Sequence, residues 1–334
     1  FLKQRHIADH PKANMVDLAP VLKDVISETA KAFNIPESDI SRICTEERND
    51  GIHIPELDIK IIEDIKEQQG IEDLSGLADR APITLDYKVI NTNRNLGTRL
   101  SGRIAESFGK DGLPCGSIIL NLTGSAGQSC GTFLTNGLHL NITGEANDYV
   151  GKGMSGGRIT VKPHTGHQFD PAMNSIVGNT CLYGATAGRL FVNGRAGERF
   201  GVRLSGAQAV VEGCGDHGCE YMTNGLVVIL GKTGQNFGAG MSGGTAYVYD
   251  EDGRFQSRIN TEMVVALPVM REQDKAEAKA LIEAHAELTG SPKATRLLEN
   301  WEKTCKKLIR VIPKTKAALE EAEKQHEAAS IPKA

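Results

Sequence analysis

The most reactive-looking string in the chain is GCGDHGCEY, residues 213–221. Cys214, His217 and Cys219 are metal-ligand types, and Asp216 next to His217 is an acid–base pairing. A structural zinc site carries paired Cys-x2-Cys or His-x3-His spacings. Here the ligand types are separated by two residues and then by one, with no second pair. A cysteine nucleophile served by His217 would need the two side chains to face each other, which close neighbours at a strand corner rarely do. A second string, GKGMSGG at 151–157, has the glycine content of a phosphate-cradling loop. No Lys-Ser/Thr follows it as in a nucleotide-binding loop, and it recurs elsewhere in the chain. A third candidate is the pair Asn147 and Asp148 in ANDYVGKG. Polysaccharide-cleaving solenoids stack carboxylates on one face, yet the matching positions in later copies are Gly197 and Glu198, then Gly234 and Gln235. No carboxylate ladder forms. The residues therefore point away from catalysis and towards a hydrogen-bonded corner that repeats.

That repeat is explicit. Residues 144–161, 194–211 and 231–248 align without a gap, so that Gly144, Gly151, Gly156 and Val161 correspond to Gly194, Gly201, Gly206 and Val211, and to Gly231, Gly238, Gly243 and Val248. Weaker copies begin near 124, 178 and 213, and a long insertion, KPHTGHQFDPAMN, interrupts one step. Glycine reaches positive φ without steric cost and lets another backbone approach closely, so these nine glycines mark the corners of a coil. Between corners lie short β-branched or large apolar runs, 138–142, 158–161, 190–192, 209–211, 226–230 and 246–247, which read as strands. Coils of 16 to 20 residues with short strands predict an all-β core built as a parallel β-helix, whose turns stack over one apolar column.

Helical segments flank this core. Residues 15–33 and 57–70 have apolar residues at helical spacing; Asp17 is the expected N-cap and Pro20 lies in the first turn of the first, and Gly70 closes the second. An extended segment precedes a turn and helix over 91–109, closed by Gly109. Beyond residue 270 glycine nearly vanishes. A helix ending at Gly290 is followed by a Ser291–Pro292 cap and a second helix running through ATRLLENWEKTCKKLIRVI to Pro313, then a polar helical tail. Trp301, with Leu297, Leu298 and Leu308, is expected to anchor these helices on the core and shield its last strand edge. The implied domains are a mostly helical lead-in over 1–90, the coil over 91–270, and C-terminal helices over 271–334.

Composition is that of an ordinary globular chain, 40% hydrophobic and 24% charged, apart from 37 glycines among 334 residues, against roughly 7% on average. A net charge of −4 without a basic, aromatic-laced patch excludes a general nucleic-acid binder. The chain opens on Phe1, which fits processing or a piece of a longer polypeptide. No signal peptide or membrane-length apolar run is present, and seven irregularly spaced cysteines suit a reducing compartment, so the expected location is cytoplasmic.

The strings NTNRNLGTRLSGRIAESFGKDGLP, GSAGQSCGTFLTNGL, GEANDYVGKGMSGGRITV and GDHGCEYMTNGLVVILG resemble the C-terminal domain of the large subunit of glutamate synthase. HPKANMVDLAPVL resembles the close of that family's FMN-binding synthase domain, and TGSPKATRLLENWEKTCKKLIRVIPK its helical end, so the resemblance spans nearly the whole chain. Cys130 and Cys214 depart from it inside matching strings. The resemblance implies a right-handed β-helix with a structural role in making L-glutamate from L-glutamine and 2-oxoglutarate. It implies no catalytic residue, metal or cofactor in this chain; FMN and an iron–sulfur cluster are expected in the partner synthase module, beside an amidotransferase module. Asn91 and Arg94 are the candidate contacts to the synthase side. Two rivals remain: the β-helix subunit of a formylmethanofuran dehydrogenase or N-methylglutamate synthase-type complex, and a free-standing polysaccharide-active enzyme.

Overall fold

The computed structural model describes residues 26–34, 36–39 and 56–330, and the chain divides into two compact units, Phe1–Ile54 and Pro55–Ala334. In the first unit, helix α1 (Ile26–Phe33) ends at Asn34, which turns left-handed at φ 53°. The expected cap Asp17 and Pro20 lie outside the described residues.

The second unit is built on a mostly parallel twelve-stranded sheet that stays open. Its strands are β1 (Ile83–Val89), β2 (Ile118–Ala126), β3 (Leu138–Ala146), β4 (Ser155–Lys162), β5 (Ser175–Val177), β6 (Ala187–Val192), β7 (Arg195–Ala196), β8 (Ser205–Val211), β9 (Asn224–Ile229), β10 (Thr245–Tyr249), β11 (Val264–Pro268) and β12 (Leu308–Pro313). The order is β1-β2-β3-β4-β6-β8-β9-β10-β12-β11, with the short β5 and β7 pairing off this path. From β1 to β10 every pairing is parallel.

Register makes the core. Leu120, Leu140, Ile159, Leu190, Ala209, Val227 and Ala246 are successive partners across the sheet, as are Leu122, Ile142, Val161, Val192, Val211, Ile229 and Val248. All are buried in one continuous cluster. Side chains alternate faces along a strand, so the row between these two lies on the opposite face. That row changes character along the sheet: Asn121, Asn141 and Thr160 give way to Phe191, Val210, Val228 and Tyr247. The polar end carries an amide ladder, with Asn141 donating to Asn121 (3.0 Å) and Asn121 to Asp86 (3.0 Å). The apolar end forms a second buried cluster with Leu281, Ile282 and Leu297 from helices α4 (Glu272–Thr289) and α5 (Pro292–Glu299).

Most helix ends fall where the capping residues predict. Helix α2 (Leu57–Gln69) stops at Gly70 (φ 61°), α3 (Thr98–Phe108) at Gly109 (φ 64°), and α4 at Gly290 (φ 67°). Ser291 Oγ accepts from Ala294 N (3.0 Å), with Pro292 at the first helical position. Trp301 packs against the second cluster and Leu297 and Leu308 are buried in it.

One expectation is overturned. The stretch from Ala294 to Ile312 is no single helix. It breaks at Asn300 (φ −114°, ψ 42°), forms a short helix α6 (Trp301–Cys305), and continues as strand β12. LIRVIP is rich in β-branched residues, which lose rotamer freedom in a helix and pack well on a sheet. It lies antiparallel to β10 and to β11, so the exposed edge is closed by strands rather than by helices. Helix α7 (Lys314–Ser330) follows.

Candidate functional site

The corners between strands are the repeating device, and their geometry starts from the backbone. Six corners each hold three left-handed residues at alternate positions: 129/131/133, 149/151/153, 180/182/184, 199/201/203, 217/219/221 and 236/238/240, all with φ between 53° and 73°. Alternation turns successive N–H groups in opposite directions. The first N–H of a corner donates to one neighbouring turn: Ser129 to Asp148 O (2.9 Å), Tyr149 to Asn179 O (2.9 Å), Thr180 to Glu198 O (2.8 Å), Arg199 to Asp216 O (2.8 Å) and His217 to Gln235 O (2.8 Å). The middle one donates to the turn before: Gly151 to Cys130 O (2.9 Å), Leu182 to Val150 O (2.8 Å), Gly201 to Cys181 O (3.0 Å), Cys219 to Phe200 O (2.7 Å) and Gly238 to Gly218 O (2.8 Å). Each of the four inner corners is thus fastened to both neighbours, which satisfies backbone groups that a bend would otherwise orphan.

The nine sequence-singled glycines divide between two tasks. Gly151, Gly201 and Gly238 are the middle left-handed positions. Gly156, Gly206 and Gly243 lie where the chain leaves the corner, and a Cβ there would collide with Asn136, the Thr186 carbonyl and the Thr223 carbonyl respectively. Gly144 would strike the Gly124 carbonyl and Gly194 the Ile176 side chain, while a Cβ at Gly231 would stand 2.7 Å from Glu212 O. Sequence reasoning missed that the left-handed middle position does not require glycine. Leu182 and Cys219 hold it, with their side chains buried in the core.

The chemically suggestive residues serve the same corners. Asp148 Oδ1 accepts from Asn179 N (2.7 Å), Asn179 Oδ1 from Glu198 N (2.8 Å) and Asp216 Oδ1 from Gln235 N (2.7 Å). Asn147 Oδ1 accepts from Asp148 N (2.8 Å). His217 Nδ1 lies 3.1 Å from Asn236 Nδ2 and 3.6 Å from Glu220 Oε1. Cys214 and Cys219 are fully buried; burial pushes the Cys214 thiol up to about 12, and Cys219 also well above its ordinary value. Among the described residues no three His, Cys, Asp or Glu side chains converge as a metal cage. Cys130 is likewise buried, its thiol raised to about 12.

Outward from the corners stands a line of aromatic and cationic side chains. The Lys152 ammonium lies 5.5 Å from the Tyr149 ring centre and 6.0 Å from that of Tyr183, and Arg203 lies 5.9 Å from that of Tyr221. Tyr149, Lys152, Tyr183 and Arg199 share a cleft of about 470 Å³. At the start of the stack, Asn91 and Arg94 are exposed on the turn leading into α3. Arg94 donates to Gln128 Oε1 (2.9 Å). The helix behind that turn is capped from outside: Asp58 of α2, buried, accepts from Gly97 N (2.7 Å), Arg99 N (2.8 Å) and Leu100 N (3.2 Å). Burial pushes its carboxyl above the ordinary aspartate value, against the pull of those three N–H groups. An isolated acid within an amphipathic pattern gave no hint of this.

A family model described as the GXGXG motif matches residues 67–314, the span that carries these corners. The chain belongs to the GXGXG family. Curated relatives point the same way. It is 44% identical over 303 residues to "Ferredoxin-dependent glutamate synthase 2" of Synechocystis sp., covering 89% of this chain and 19% of that protein. It is 45% identical over 321 residues to "Glutamate synthase [NADH]" of Schizosaccharomyces pombe, covering 95% and 14%. With the "Glutamate synthase [NADPH] large chain" of Azospirillum brasilense it shares 51% over 230 residues, 69% and 15%. The chain therefore spans less than a fifth of the length of these relatives, and matches one region of these glutamate synthases.

Proposed function

We propose that this chain is the right-handed parallel β-helix domain of a glutamate synthase-type complex, and that it holds the amidotransferase and FMN-binding synthase modules in fixed relative position. The observation that carries the reading is the match to glutamate synthases across as much as 95% of the chain. The stacked corners and the seven-deep apolar rows support the physical part of it, because a column fastened at every turn is stiff. Stiffness matters where one module makes a small reactive product that another consumes, since a misplacement of about 1 Å can lower the rate about a hundredfold. FMN and an iron–sulfur cluster belong to the partner modules in this reading, the catalytic groups lie outside this chain, and the nine corner glycines are structural. Asn91 and Arg94 are the proposed contacts to the synthase side. The proposed location is the cytoplasm; among the described residues no helix is long and apolar enough to cross a membrane.

The test is reconstitution. Mixed with the amidotransferase and flavin-binding segments of the same glutamate synthase, the chain should co-purify with one or both, and Arg94→Glu should weaken retention on the flavin segment. Failure to co-purify with either would remove the proposal.

A further inference from the structure

On the outer face near the start of the stack, a second cross-strand row reads His139, Arg158, Arg189 and Gln208, each directly opposite the next on β3, β4, β6 and β8. Two cations facing each other on adjacent strands destabilise a sheet unless something neutralises them. Nothing in this row does. Among the described residues neither guanidinium makes an ion pair or hydrogen bond, and Arg158 Nε is buried without a partner. Asp111 lines the same groove without bonding either arginine, and Glu287 of α4 acts on Arg158 only through space. His139 is 7% exposed, and its Nδ1 is buried and unpartnered. Its Nε2 lies 3.5 Å from Sγ of Cys115, an exposed thiol. These groups line one groove of about 610 Å³, floored by glycines that keep the backbone open to it.

We propose that this groove is a binding site for a small oxyanion, a phosphate or a carboxylate, seated between Arg158 and Arg189 with His139 contacting it from the β3 side. The cations need a counter-charge, and both oxyanions present acceptors that a guanidinium fork matches. Burial and the neighbouring Arg158 hold His139 down to about 4, so at neutral pH it is an uncharged imidazole able to donate or accept one hydrogen bond. The site is independent of the proposed function, since its residues are on the sheet face rather than the corners. Cys115 stands at its mouth as a built-in reporter.

The experiment titrates the full chain calorimetrically with inorganic phosphate and, separately, with succinate, and follows iodoacetamide alkylation of Cys115 by peptide-resolved mass spectrometry. At least one of the two anions should bind saturably at one per chain and slow Cys115 alkylation. Arg158→Gln together with Arg189→Gln should weaken binding about tenfold or more. Lys303→Ala, an exposed cation on α6 away from the groove, should leave it unchanged. Arg189 is exposed, so Arg189→Gln alone carries the test if the double variant unfolds early. Phosphate binding without succinate binding assigns the site to phosphate groups, and the reverse to carboxylates. The proposal is overturned if neither anion binds below about 10 mM, a limit that corresponds to very weak affinity, or if binding survives in the arginine variants.

Discussion

At the scale of single residues, the glycines show that one residue type performs two separable tasks. Gly184 has φ 64° but nothing within 4 Å of where a Cβ would stand, whereas Gly206 has no positive φ but faces the Thr186 carbonyl. Replacing Gly184 by alanine adds only the left-handed penalty, and thermal or denaturant unfolding should record a loss of about 1 kcal/mol. Gly206→Ala forces two backbones apart inside a hydrogen-bonded stack and should cost about 3 kcal/mol or more. Equal losses would mean that the corner yields more readily than its hydrogen bonds suggest. Asp58 supplies a cap that α3 lacks in its own sequence, Gly97 having no side chain. Asp58→Ala leaves three N–H groups without their acceptor and should destabilise by about 2 kcal/mol, with Asp58→Asn losing less because it keeps an acceptor oxygen. Chemical denaturation of the pair measures the difference.

At the scale of elements, β12 decides how the stack ends. Val311 is fully buried and sits opposite Ala246 of β10 and Ala266 of β11. Val311→Asp buries an unpaired charge there and should cost more than about 3 kcal/mol, and by loosening β12 it should uncover the β10 edge. Light scattering of the variant should then show concentration-dependent association, as an unpaired parallel edge invites. A variant that loses stability yet stays monodisperse would show that β11 and α7 protect the edge without β12. The helix breakers that end α2, α3 and α4 were legible because capping is local: glycine at φ near 60° relieves a clash whatever lies beyond. The change from helix to strand at Leu308 was not. Ala294 to Ile312 has a helical composition at its start, and only the vacant edge of β10 gives LIRVIP a reason to extend.

At the scale of the whole molecule, the sheet and its helical cover are joined through a buried polar knot. Glu212, the residue just after β8 and 1% exposed, accepts from Ser291 Oγ, and its Oε1 lies 3.7 Å from Nε2 of His285 on α4, which is 0% exposed. Burial drives the His285 pKa below 6.5, with Glu212 opposing. The neutral imidazole is therefore the folded form. Its contribution is intact above pH 6.5; as pH falls below that value the unfolded chain takes up a proton that the folded chain refuses, and stability declines towards the folded pKa. His139, held down to about 4, acts in the same direction. Melting temperature should accordingly fall between pH 6.5 and about 5, and His285→Gln should flatten the slope in that window relative to the parent chain. An unchanged slope would mean that the imidazole is protonated while still in place.

The GXGXG family membership and the existence of a stacked, parallel core were legible in the chain itself. The core rests on short-range facts, glycines at a fixed step, apolar runs between them and caps within four residues of each helix end, whereas the family membership rests on the resemblance of longer strings. The tertiary structure alone decided which other residues stand in for glycine, as Leu182 and Cys219 do, because a backbone bonded to turns on both sides can force a left-handed conformation that local preference opposes. It alone brought Asp58 to α3, β12 to β10, and Arg158 opposite Arg189, since those meetings join residues far apart in the chain, or on different turns, and no local spacing encodes them.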